Sequence, residues 1–411
     1  LSLHDALPDL RINYIWDQTL TNGSKPLGFS YGVEFNKEEI NQAIKAMENG
    51  ENPYKIVPSK DDIGHGTSMA GILGGRGRNP ELKGAAPGCE FAVVKLKPAI
   101  GLDLSKDTSG KDRVAYNNTD VIMAIKYLSQ LASRLNKPLV IYISVGTNAG
   151  AHDGNSIIER YIDEVSRIRG VVVVSGTGNQ GDEDLHASGM FQNTGEVKTL
   201  EVKISKQQRN LAFEIWIDKP DKVSIGVISP SGEVIEKVPA KLKKGKEIEL
   251  VFEGSKVFIE YYFPEELTGD ELIRVKIEDV REGIWQFKLF GDYIVSGRYN
   301  AWLPQRDLLK GDTRFLTPNQ FITLMVPSTS RSIITTSYYN QNNNSYVASS
   351  GRGYTRDDRI KPDLTTGGIN VKTTKVGGGE TIVSGSSAAT AVLAGACALL
   401  FQWGVVEGKD P

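Results

Sequence analysis

The chain has 411 residues, which suggests about two or three domains, or one large domain carrying an insertion. Lys plus Arg is 48 and Asp plus Glu is 50, a net charge of −2, so composition gives no reason to expect nucleic acid or an anionic membrane surface as partner. Two cysteines exclude a disulfide framework, and four histidines in all argue against a His-rich metal site; no cofactor is expected.

Residues 12–16 (INYIW) read as a strand and 37–48 as an amphipathic helix with Ile40, Ile44 and Met47 on one face. Apolar runs at 92–96, 138–143 and 171–174 read as strands buried on both faces. Helical patterns at 119–134, with Thr119 as a cap, and at 156–168 lie between them. Strand and helix alternating at this spacing predict a parallel sheet with crossover helices.

Near residue 192 the pattern changes. Segments 198–204, 211–217, 222–228, 247–252, 256–263, 272–278 and 284–290 are short and β-rich, separated by turn signals such as Pro220-Asp221 and Ser231-Gly232. They predict an all-β sandwich over 192–302, inserted between α/β segments at 1–191 and 303–411. The basic run Lys241–Lys246 reads as a solvated hairpin tip. After residue 303 the α/β pattern returns with ITLMV, SIITTSYY and a final helix. Residues 388–406 carry no charge and are long enough to span a bilayer. Their Ala and Gly content and lack of a basic flank predict a buried core helix, not a membrane span.

Three short motifs can carry chemistry. Gly64-His65-Gly66-Thr67 opens an apolar helix, which places an imidazole where a general base can work; an ordinary capping turn explains it equally well. Ser175-Gly176-Thr177-Gly178-Asn179 follows the VVVV strand, where α/β sheets place ligand groups, although a Gly-Asn turn is common. Ser384-Gly385-Ser386-Ser387-Ala388-Ala389 runs into the last apolar helix, whose free N–H groups favour an anion; alone it reads as a Ser-rich cap. It is not a nucleophile elbow, because Ala389 stands where that motif needs glycine.

In the order His, Asn, Ser these motifs resemble those of the subtilisin-like serine proteases, the subtilase family. Gly84-Ala85-Ala86-Pro87, Lys361-Pro362-Asp363 and Ser144-Val145-Gly146 add to the resemblance. An inserted β domain between the Asn and Ser motifs is similar to that of clostridial subtilases, including the Csp-type germination proteases, where the insert is jelly-roll-like. The resemblance implies a subtilisin-like α/β fold and a serine endopeptidase acting on polypeptides. It implies Ser387 as nucleophile, His65 as general base within or near hydrogen-bond reach of it, and Asn179 as oxyanion donor. Ser144, Val145 and Gly146 would bind substrate as an added strand. Gly66-Thr67-Ser68-Met69-Ala70 mimics the family's serine motif but precedes the Asn motif, so Ser68 is a decoy.

The family's catalytic Asp has no counterpart before His65. Asp17 lies in YIWDQT, which resembles a later family segment, and Asp61 and Asp62 sit too close to His65 and read as turn formers. The expectation is a chain truncated at its N-terminus, with Leu1–Pro8 foreign, and at its C-terminus. His152 and His186 read as structural or rim residues, and Cys89 and Cys397 as buried thiols. A catalytically dead pseudoprotease that binds or regulates is the alternative; a partner-binding scaffold is a third. Localisation is not legible, with an extracellular or spore-associated place following only from the resemblance.

Overall fold

The computed structural model describes residues 11–77, 79–100, 114–241 and 245–409. The first part of the chain contains strands β1 (Ile12–Asp17), β2 (Val33–Phe35), β3 (Phe91–Lys95), β4 (Leu139–Ile143) and β5 (Val171–Gly176). Among them lie helices α1 (Lys37–Glu48), α2 (His65–Gly74), α3 (Asn118–Leu135) and α4 (Ile157–Val165). Capping boxes fix two helix starts, Asn36 with Glu39 on α1 and Ser156 with Glu159 on α4. The α3 cap is Asn117, not Thr119, and its amide donates to Asp120 at 3.3 Å. A start two residues earlier lets the Asp120 carboxylate meet the helix N-terminus.

The insert is a sandwich of antiparallel sheets. Its strands are β6 (His186–Met190), β7 (Val197–Ile204), β8 (Leu211–Ile217), β9 (Lys222–Ile228), β10 (Val234–Val238) and β11 (Gly245–Leu250), then β12 (Ser255–Tyr262), β13 (Glu271–Glu278), β14 (Gly283–Tyr293), β15 (Arg298–Trp302) and β16 (Arg314–Phe315). One sheet has the order β11-β12-β13-β8-β15-β6 and the other β10-β9-β14-β7-β16. Alternation puts Val257, Ile259 and Tyr261 of β12 inside while Lys256, Glu260 and Tyr262 face out. Phe213 and Phe287 meet edge-on between the sheets, at 4.9 Å. β6 and β16 belong to these sheets although they lie outside 192–302. Residues 242–244, within the basic run, lie outside the described residues.

The last part holds β17 (Ile334–Asn340), β18 (Ser345–Tyr346), β19 (Leu364–Gly367), β20 (Val371–Thr374), β21 (Glu380–Val383) and α5 (Ser386–Phe401). The ITLMV run is not a strand; it makes only an antiparallel bridge from Val326 to Thr147. Pro327 follows at once and has no N–H to continue a ladder. α5 and its continuation to Val406 are long and apolar enough to cross a membrane by composition. In the fold, α5 packs on α2, β4, β5 and β17, and Ala388, Ala391 and Ala394 are buried.

The parallel sheet comes in two pieces. β3 pairs with β1, which pairs with β2; β4 pairs with β5, which pairs with β17. Among the described residues β3 and β4 are therefore edge strands, and they line one cavity of ≈ 1820 Å³, together with α3, α5 and His65. All of β3 is only half-buried. Such a slot presents unpaired backbone groups and apolar side chains to solvent.

Sandwich and α/β part meet through aromatic and ionic contacts. Trp302, at the end of β15, lies between two buried histidine rings, 4.1 Å from His152 and 4.8 Å from His186. Cys397 is buried as expected, whereas Cys89 is half-buried because it lies on the wall of the slot. Asn300 Oδ1 is 3.0 Å from His186 Nε2, and Asn300 Nδ2 has no partner among the described residues. Turning the amide lets Nδ2 donate to a neutral ring, while Nδ1–H donates to the Asn319 carbonyl. Nearby, the guanidinium of Arg356 is 3% exposed and contacts Asp153 at 3.2 Å, Asp218 at 2.7 Å and Asp270.

Removing Arg356 would strand these carboxylates in the joint. Arg356→Ala is expected to lower the unfolding free energy by about 3–5 kcal/mol, measured by urea denaturation. Burial holds both His152 and His186 down to about 4, against hydrogen bonds that favour the charged rings. The unfolded chain therefore binds more protons between pH ~6.5 and ~4, so stability is full above that window and falls as pH drops through it. His186→Gln should flatten this acid limb in denaturation curves taken across the same pH range.

Candidate active site

The site is built where α2 and α5 begin. α2 starts at Gly64, whose φ of 90° suits glycine and leaves no side chain to cap the helix. Asp61 does the capping: its oxygens accept from Gly64 N–H at 2.7 Å and from Thr67 N–H and hydroxyl at 2.9 and 2.7 Å. His65 follows, exposed at the mouth of the slot. Desolvation by the surrounding protein holds its ring below the usual histidine value, and Asp61 opposes that shift. The direction of that shift favours the uncharged ring. No hydrogen bond links it to Ser387 among the described residues.

α5 starts at the end of β5. Gly178 N–H donates to Ser386 Oγ at 3.0 Å, and Ser386 N–H donates to Asn179 Oδ1 at 2.9 Å. With Oδ1 so occupied, the carboxamide has its Nδ2 group to offer elsewhere. Gly385, at φ 126°, lies under this amide; a Cβ there would stand 3.0 Å from Asn179 Oδ1. Gly176 is needed for a similar reason, since its Cβ would overlap Ser386 Oγ at 2.0 Å. Thr390 Oγ1 donates to Ser386 O at 2.8 Å, and Thr366 Oγ1 to Ala389 O at 2.9 Å. Ser387 itself is half-buried. Met69, one turn beyond His65, shares an apolar cluster with Ala388, one residue beyond Ser387.

Ser144, Val145 and Gly146 continue β4. Gly146 is confined by the Met325 side chain and the Val326 carbonyl oxygen, and the next residue, Thr147, exchanges 2.9 Å hydrogen bonds with Val326. Ser68 is buried and donates to Thr374 O at 3.0 Å, which accounts for the decoy. Asp17 is buried too. Its Oδ1 accepts from Thr19 N–H and hydroxyl and its Oδ2 from Ser59, so it fastens the end of β1 and gives His65 nothing. Among the described residues no cluster of His, Cys, Asp and Glu suits a metal ion. Sequence reading passed over Tyr142, whose hydroxyl donates to Ser387 O at 3.0 Å. The signal was present: it precedes Ser144 by two residues, so both share one face of the strand.

The subtilase family profile, Peptidase_S8, matches residues 8–262 and 311–405. Among solved structures the chain is similar to the Clostridium perfringens CspB protease, with 31% identity and a TM-score of 0.85, over 100% of this chain and 80% of that one. Sphericase is more distant, at 14% identity and TM-score 0.43 over 97% of this chain and 72% of that one. A cold-adapted subtilisin-like serine proteinase has 15% identity and TM-score 0.37 over 82% and 61%. No curated protein matches. The chain belongs to the subtilase family of serine proteases. Within it, the chain resembles the Csp-type proteases, as the CspB likeness shows.

Because Gly385 packs on the Asn179 amide in left-handed backbone, Gly385→Ala should displace that amide. The expected result is a stability loss of about 1–3 kcal/mol by thermal unfolding, with a larger proportional loss of reactivity at Ser387.

Proposed function

We propose that the chain is a serine endopeptidase with Ser387 as nucleophile, His65 as general base and Asn179 as oxyanion donor. The observation that carries this reading is the bond from Ser386 N–H to Asn179 Oδ1, which fixes a carboxamide donor beside the start of α5. Ser387 Oγ attacks the scissile carbonyl carbon while His65 takes its proton. The carbonyl oxygen, now negative, is held by Asn179 Nδ2 and the Ser387 N–H. Collapse expels the amine, which receives the proton from His65, and water repeats the sequence to release the acid. Substrate backbone pairs with Ser144, Val145 and Gly146.

The third member of a serine-protease triad is a carboxylate that orients the imidazole. Asp61 and Asp17 are both engaged by their own turns. The slot between β3 and β4 ends beside His65, and both bordering strands run parallel to their sheet neighbours. A further strand ending in Asp would enter there, in keeping with the family's Asp-Ser/Thr-Gly turn. The alternative of a non-catalytic binding protein is favoured by one observation, that no described carboxylate bonds to His65.

A serine-directed fluorophosphonate separates the readings. Labelling of the wild-type chain that is lost in Ser387→Ala supports the protease, and a folded chain that stays unlabelled supports the binder. Asn179→Ala should slow labelling by about 10²–10³, the range known for the oxyanion asparagine of a subtilisin. Extending the chain by an apolar strand ending in Asp-Ser-Gly should raise peptide hydrolysis by up to about 10⁴, the worth of the triad carboxylate in a serine protease.

A further inference from the structure

The tie between β4 and the start of α5 is not explained by the residues assigned above. Tyr142 lies in β4, and its hydroxyl donates to Ser387 O at 3.0 Å. Its side chain packs against two buried clusters, one containing Met69, Ile72, Ala388 and Ala391 and the other Val174 and Leu393. Burial pushes the phenol above its usual range, while hydrogen bonding to the side chains of Ser144 and Ser387 opposes the shift. The phenol stays protonated and keeps a hydrogen to donate. The acceptor carbonyl has two lone pairs, so it takes this bond in addition to its place in the helix ladder.

We propose that Tyr142 is a positioning residue: its hydroxyl sets the nucleophile's helix turn against the strand that holds the substrate. The inference rests on the protease reading and goes beyond it. Among the described residues β4 is an edge strand with no ladder partner on its slot side. Backbone pairing with β5 therefore restrains it from one side only. Two residues on, the same strand becomes the substrate edge at Ser144, about 7 Å away along the strand. A shift of that edge relative to α5 would move a bound carbonyl away from Ser387 Oγ. The phenol couples the two elements directly, because it is anchored in β4 and bonds to the very residue that attacks. A tyrosine that merely fills space would need neither the hydroxyl nor this acceptor.

The test measures fluorophosphonate inactivation, resolved into the maximal rate kinact and the half-saturating concentration KI. In that reaction the Ser387 Oγ–P bond forms, the P–F bond breaks, fluoride leaves and the Oγ proton passes to His65. Tyr142→Phe removes the donor and keeps the ring. Its kinact should fall about three- to tenfold, the rate equivalent of one net hydrogen bond, with KI unchanged within about twofold. Placing 2,3-difluorotyrosine at position 142, a stronger donor of nearly the same shape, should raise kinact above wild type. A folded Tyr142→Phe protein with wild-type kinact overturns the proposal, as does a loss confined to KI. If Tyr142→Phe does not fold, the difluorotyrosine protein decides alone, and an unchanged or lower kinact overturns the proposal. Absence of labelling in the wild type itself removes the protease reading, and this inference with it.

Discussion

The first turn of α5 is held by hydrogen bonds from several other elements, and the geometry of the site depends on that clamp. Gly178 and Asn179 reach it from the end of β5, Thr366 from β19 and Tyr142 from β4. Thr390 closes it from within the helix. A helix N-terminus has free N–H groups that attract negative charge. That property becomes useful for catalysis only when the turn is immobile, since stabilisation of a developing oxyanion requires donors already in position. The close approach explains the glycines. At Gly176 and Gly385 even a methyl group would collide with the Ser386 hydroxyl or press on the Asn179 amide.

The joint with the sandwich works on a different principle. Arg356 faces several carboxylates with almost no solvent, and the guanidinium also lies over the Trp216 ring at 5.4 Å. Such a group gives little net stability compared with an apolar joint of similar volume, but breaking it from one side is costly. Trp302, stacked between histidines, adds an apolar contact of fixed geometry. The carbonyl of Asn148, two residues beyond Gly146, lies 2.9 Å from the His152 ring, so the joint and the segment that continues β4 share a loop. The insert is thereby built into the wall that supports Ser144–Gly146.

The slot separates the two pieces of the parallel sheet. Parallel strands form stable sheets when both faces and both edges are covered. Here β3 is half-buried along its whole length, and among the described residues β3 and β4 have no ladder partner on the sides that face the slot. His65 sits at the end of that opening, and among the described residues no carboxylate hydrogen-bonds to its ring. Ser387 and Asn179 belong to the far side, beside β5, which is paired on both edges with β4 and β17.

By itself the sequence determined the element types, because hydrophobic period and turn chemistry are local. The periods at 37–48 and 211–217 mark elements whose limits match the fold, whereas the sheets entered by the β-rich segments after residue 192 also take in β6 and β16. Motif order singled out His65, Asn179 and Ser387 and set Ser68 aside, since each frame carries its own small neighbours. What lay beyond sequence was pairing between distant segments. β6 and β16 join the sandwich through ladders that no local pattern records, and ITLMV fails as a strand because Pro327 ends its donors. Tyr142 looked like any buried strand residue. Only the packing of β4 against α5, over more than 200 positions, brought its hydroxyl to Ser387. Only that packing showed His152 and His186 enclosing Trp302 instead of lining a rim. Contacts of this kind depend on how whole elements stack, and burial decides between alternatives that a single sequence leaves equal.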